Sequence, residues 1–97
     1  MSVSRIGDFQ AKKGLVDELR AFLLSIMEGI KSSEGCESVQ LYQSQADPSK
    51  FMMIEVWDSV ESHQASAKNI PPEKLSEIRP LLAGSPSGSY YGLVRQD

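Results

Sequence analysis

The run Phe51–Trp57 constrains the fold more than any other part of this 97-residue chain, because both of its faces are apolar. With the two-residue period of a strand, Met52, Ile54 and Val56 share one face, and Phe51, Met53, Glu55 and Trp57 share the other. A strand like this needs a cover on both sides. It ends on the only Trp and runs into Asp58-Ser59-Val60-Glu61. That tetrad fits a capping box in which Asp58 accepts from a free backbone N–H and Glu61 reaches back. The helix it opens carries the only His, His63, one turn in, and extends to about Lys68.

The rest of the chain supplies partners for that strand. Val3, Ile6 and Phe9 mark a first strand over residues 3–10, closed by the turn Lys12-Lys13-Gly14. Leu15, Leu19, Phe22 and Ile26 follow i, i+4, i+7, i+11, with Val16, Leu23, Met27 and Ile30 widening the stripe, so residues 15–32 form an amphipathic helix. Asp17 and Glu18 favour its start, and Gly35 its stop. Residues 36–45 alternate, with Val39 and Leu41 on one face and Cys36, Tyr42 and Ser44 on the other. Asp47-Pro48-Ser49 joins this strand to the next as a hairpin. Asn69-Ile70-Pro71-Pro72 breaks the second helix. Leu75, Ile78 and Leu82 give a short third helix an apolar face, and residues 84–88 read as a loop. Ser89 to Arg95 reads as a last strand. The order is that of a ferredoxin-like α+β fold, βαββαβ, with a four-stranded antiparallel sheet and its helices on one face. Met52, Ile54 and Val56, together with Val39 and Leu41, would then leave the other face too apolar for water, and a second copy packed sheet against sheet is the economical cover.

Composition closes off several function classes. Ninety-seven residues make a single domain, 1–97, whose core is small for its surface. A net charge of -3 with interspersed signs gives no footprint for nucleic acid. No apolar run approaches the roughly 20 residues of a membrane helix. The N-terminus lacks the apolar core of a signal peptide, and the lone Cys36 allows no internal disulfide, so a cytoplasmic setting is expected. One His and one Cys make no metal-ligand cluster, and no phosphate-binding loop or nucleophile elbow is present.

The candidate site residues follow from placement. Val60, His63 and Ala67 share a helix face, which turns His63 toward the sheet, where an imidazole can move a proton near neutral pH. The plainer alternative is a core-edge His held by a backbone carbonyl. Trp57 is either core or the wall of an aromatic pocket. Glu55, on an apolar strand face, needs a partner such as Arg5, Arg79 or Arg95; otherwise it is a base of raised pKa. One of Tyr42, Tyr90 and Tyr91 could bring a hydroxyl to the same cavity, with the other two as packing residues.

The chain resembles the antibiotic biosynthesis monooxygenase family of the dimeric α+β barrel superfamily. The likeness spans nearly the whole chain and rests on Ala11-Lys12-Lys13-Gly14 before Glu18-Leu19-Arg20, on Gly35-Cys36-Glu37-Ser38 leading into Leu41-Tyr42-Gln43-Ser44, on Asp47-Pro48, and most of all on Ile54-Glu55-Val56-Trp57-Asp58-Ser59 with His63. It implies a homodimer whose sheets form a barrel and a ligand cavity between sheet and helices in each subunit. Family members include oxygenases that oxidise polycyclic phenols without metal or flavin, and others that degrade haem, act on quinols or process a signalling sugar derivative. The haem-degrading members use an Asn, a Trp and a His ligand. The first strand here has no Asn and His63 comes too early, which disfavours haem. The resemblance therefore points to a monooxygenase that needs no cofactor and acts on an aromatic phenol or quinol, with His63 as base and Trp57, Tyr42, Glu55 and Arg5 as substrate contacts. The alternative is a non-catalytic dimer that binds or senses a small hydrophobic molecule.

Overall fold

The computed structural model describes residues 1–97. Four strands, β1 (Val3–Gln10), β2 (Cys36–Gln43), β3 (Lys50–Trp57) and β4 (Ser87–Tyr91), form one antiparallel sheet in the order β2-β3-β1-β4. Three helices, α1 (Val16–Lys31), α2 (Val60–Ser66) and α3 (Pro72–Ile78), complete the expected ferredoxin-like α+β arrangement. Single 3₁₀ turns follow α2 and α3, at Ala67–Asn69 and Arg79–Leu81.

The core lies between α1 and the sheet. Leu19, Phe22, Leu23 and Ile30 are the buried stripe of α1, and they meet Phe51, Met53 and Trp57 of β3, with Ala11 and Leu82 closing the cluster. The α1 period thus selects which face of β3 becomes the interior. No helix is long and apolar enough to cross a membrane.

Four details depart from the sequence reading, and each has a local cause. A β-bulge between Cys36 and Ser38 pairs Cys36 with Trp57 and Ser38 with Val56. The extra residue turns Cys36 onto the core side, where it packs with Val39 and Leu41, and strict alternation fails there. Val39 and Leu41 accordingly belong to the helix face, so the outer apolar face is made by Ile6, Met52, Ile54 and Val56, without them. The cap of α2 is Ser59, whose Oγ accepts the Ser62 N–H at 3.1 Å. Asp58 instead accepts from the Ser59 hydroxyl at 3.2 Å. Finally, β4 runs from Ser87 to Tyr91 and stops six residues short of the terminus. Tyr91 pairs with Ser4 at the start of β1, and the ladder does not continue into Gly92–Asp97.

Gly35 fixes the β3–α2 junction. Its φ is +89°, and a Cβ there would lie 2.6 Å from the Ser62 side chain and 2.7 Å from Asp58 Oδ1. Its carbonyl also accepts the Asp58 N–H at 2.9 Å. Glycine is required both by the left-handed backbone and by the close passage beneath the start of α2.

Candidate functional site

Strand register assembles a polar row across the helix face of the sheet. Val39 pairs with Glu55, Glu55 with Arg5, and Arg5 with Tyr90. Directly opposed residues project to the same side, so all four share the face that carries Trp57 and Met53. The capped first turn of α2 then brings His63 down onto this row.

The contacts form a chain. The Trp57 indole N–H donates to Glu55 Oε1 at 3.0 Å. The same oxygen lies 3.9 Å from His63 Nε2. On the other side of the imidazole, Nδ1 and the Tyr90 hydroxyl are 2.6 Å apart. The rings stack edge to face: Trp57 to His63 with centroids 5.5 Å apart at 68°, and His63 to Tyr90 at 5.3 Å and 77°. The Arg5 guanidinium sits 5.0 Å from the Tyr90 ring centroid.

Burial tunes these groups in opposite directions. Desolvation pushes the Glu55 carboxyl above its ordinary 4.5, with the Trp57 hydrogen bond and the Arg5 charge opposing the rise. Desolvation, helped by Arg5, lowers His63 below 6.5. At neutral pH the imidazole is therefore neutral. The carboxylate beside Nε2 favours the tautomer with its proton there, so Nδ1 is the lone-pair side and accepts from the Tyr90 hydroxyl. The resulting Tyr90–His63–Glu55 line can take up a proton at the tyrosine end and spread the charge toward the carboxylate.

Of the residues expected at the site, Trp57, Glu55, Arg5 and His63 do converge. Tyr42 does not: it projects from β2 to the outer face, is 50% exposed, and its hydroxyl donates to Gln40. The hydroxyl at the site comes from Tyr90 instead. The two-residue period puts Tyr90 and Tyr91 on opposite faces, but only the register with β1 says which one meets Arg5. The expected partnership of Glu55 with an arginine is one of charge alone: Arg5 lies across the ladder and opposes the rise in the carboxyl's pKa, but makes no ion pair with it, while Oε1 faces Trp57 and His63. Trp57 itself is fully buried, so its rings offer no open face for stacking, and its N–H is committed to Glu55.

None of the five larger hollows in the molecule is lined by Trp57 or His63. The largest, about 550 Å³, lies between α3 and the 84–86 loop. A second, about 480 Å³, lies on the outer face around Tyr42, Met52 and Ile54. Between sheet and α2, the side chains of the row fill the space themselves. No cluster of three His, Cys, Asp or Glu residues could hold a metal ion.

The family model described as antibiotic biosynthesis monooxygenase matches residues 2–71, the span that holds four of the five members of this cluster. The chain belongs to that family. A solved structure from Chloroflexus aurantiacus J-10-fl that carries the same family name is 33% identical over 99% of this chain and 98% of its own, with a TM-score of 0.71. Two more distant structures show the same fold. Rv0793 from Mycobacterium tuberculosis is 18% identical, with a TM-score of 0.84 over 99% of this chain and 98% of its own. A variant of SnoaB, a cofactor-independent oxygenase from Streptomyces nogalater, is 11% identical, with a TM-score of 0.82 over 98% and 95%. No curated protein is matched. The family match stops before β4, so Tyr90 lies outside the matched span.

Proposed function

We propose that this chain is a cofactor-independent monooxygenase acting on an aromatic phenol or quinol, and that it works as a homodimer. The observation that carries this reading is the half-buried His63, neutral at pH 7, with Tyr90 on one nitrogen and Glu55 beside the other. That is the equipment for removing a phenolic proton and holding the anion. Trp57 serves as a positioning residue, because its N–H fixes the Glu55 carboxylate toward the imidazole. The electron-rich substrate supplies the reducing power. Its anion delivers electrons from carbon to O₂, a C–O bond forms, and loss of water leaves a carbonyl, so that a CH₂ and O₂ become C=O and H₂O. The dimer is supported by the apolar outer face of Ile6, Met52, Ile54 and Val56, which one subunit leaves uncovered.

Oxygen uptake with a panel of hydroquinones and anthrones tests the proposal. Uptake should be stoichiometric with substrate and fall about 10²–10⁴-fold in His63→Ala. No uptake across the panel, or uptake unchanged in the variant, would sink it. One observation favours a second reading, a non-catalytic dimer that binds a small hydrophobic molecule: the side chains of the row fill the space between sheet and α2. That reading predicts ligand-dependent thermal stabilisation without turnover.

A further inference from the structure

Arg5 is a cation with no ion-pair partner, although Glu55 lies across the ladder from it. Its cross-strand neighbour Glu55 is the obvious partner, yet the carboxylate turns to Trp57 and His63. The ion pairs of the molecule are His63–Glu55, Lys74–Glu77 and Arg95–Asp97, and Arg5 is in none of them. Its guanidinium donates no hydrogen bond within the chain, although the residue is half-buried. Such a fork carries five N–H donors suited to a planar acceptor.

The seat is made by two neighbours on β4. Tyr90 stacks against the guanidinium. Gly88 makes room for it: a Cβ at that position would collide with Arg5 Nη2 and lie 2.6 Å from Cζ and 2.9 Å from Nε. Gly88 does not have a positive φ, so the backbone does not demand glycine there; a larger residue would displace the guanidinium, the movable end of the Arg5 side chain. Its cross-strand partner is Gly7, which is covered by the Phe9 ring.

We propose that Arg5, seated over Gly88 and stacked on Tyr90, binds a carboxylate of the substrate, so that the substrate is a hydroxyaryl acid. This rests on the oxygenase reading for the hydroxyl, not for the acid. A monoanion fits better than a phosphate, because Glu55 already offsets part of the single positive charge nearby. A planar carboxylate also takes two parallel N–H bonds from the fork. The Tyr90 ring spans the two ends of the site, Arg5 against its face and His63 at its hydroxyl, so acid and phenol belong on one aromatic skeleton.

Calorimetric binding at neutral pH of a hydroxynaphthoate and its neutral amide tests this. The acid should bind about tenfold or more tighter than the amide. The preference should vanish in Arg5→Gln and shrink in Gly88→Ala, where the guanidinium is displaced. Arg5→Lys, which keeps the charge and loses the fork, should retain only part of it. Equal binding of acid and amide, binding of neither, or a preference that survives Arg5→Gln would overturn the assignment. The acid–amide comparison on the unmodified protein needs no variant to fold. Oxygen uptake is read separately. A preference for the acid with no uptake on any substrate fails the oxygenase and leaves the Arg5 site standing. Uptake on neutral hydroquinones with no preference for acids does the reverse.

Discussion

On the helix side of the sheet, Glu55, Arg5, His63 and Tyr90 place charge and polarity beside the buried Met53 and Trp57. On the other side, Ile6, Met52, Ile54 and Val56 place hydrocarbon where the single chain meets water, with Met52, Tyr42 and Tyr91 openly exposed. Each side departs from the ordinary division of apolar inside and polar outside, and the departures mean different things. Polar groups sunk in a low-dielectric setting cost stability, and their shifted proton affinities are what chemistry uses. Apolar groups left outside cost solubility, and what they gain comes from being covered. A protein this small has little core to spare, so neither departure is expected to persist without a use.

The largest test of this contrast is on the interior side. Trp57→Ala should destabilise the fold by about 3–5 kcal/mol in urea unfolding, because it empties a fully buried indole site and leaves Glu55 without its donor. Next comes the outer face. Ile54→Lys should turn the proposed dimer into a monomer in sedimentation experiments, weakening association by about a hundredfold or more. A twofold contact buries the new charge twice, and a monomer with unchanged melting would show that the outer face serves assembly and not folding. A dimer that survives this substitution would mean the two faces differ for some other reason.

Glu55→Gln sharpens the comparison from the other direction. The amide oxygen can still accept the Trp57 N–H, while the buried charge is gone. Burial raises the Glu55 pKa, so its contribution to stability is present at low pH and is lost as pH rises through the folded value. The variant should therefore be as stable as the parent or more so at neutral pH, yet turn over at least about tenfold more slowly. The smallest effect belongs to His63. Its folded pKa is lowered, so its stability is fully present above 6.5 and declines as pH falls below that value. His63→Gln should flatten that decline in a melting-temperature profile between neutral and mildly acid pH, with little change above it.

The parts that could be read from the residues were those carried by local periodicity. The 3.6-residue stripe of Leu19, Phe22, Leu23 and Ile30 marks α1 without reference to anything else. The apolar run of β3, its junction with α2, and the nearness of Trp57 and His63 follow from short-range spacing. So does the apolar outer row of Met52, Ile54 and Val56. What could not be read depended on register. The bulge at Glu37 moved Cys36 to the core side, and alternation alone had no means of showing it. Tyr42 and Tyr90 look equivalent in the sequence, and only the pairing of β4 with β1 gives Tyr90 its place beside Arg5 and His63.

The chain by itself determined the element order, the family and the convergence of an indole, an imidazole and a carboxylate, because each of these rests on neighbours within a few residues or on a strand's own period. Only the tertiary structure decided that the Glu55 Oε1 would face Trp57 and His63, and that Gly88, eighty-three positions from Arg5, would leave room for its guanidinium. Side chains choose among competing partners by distances of an ångström or less, and those distances exist only once four strands have settled their register.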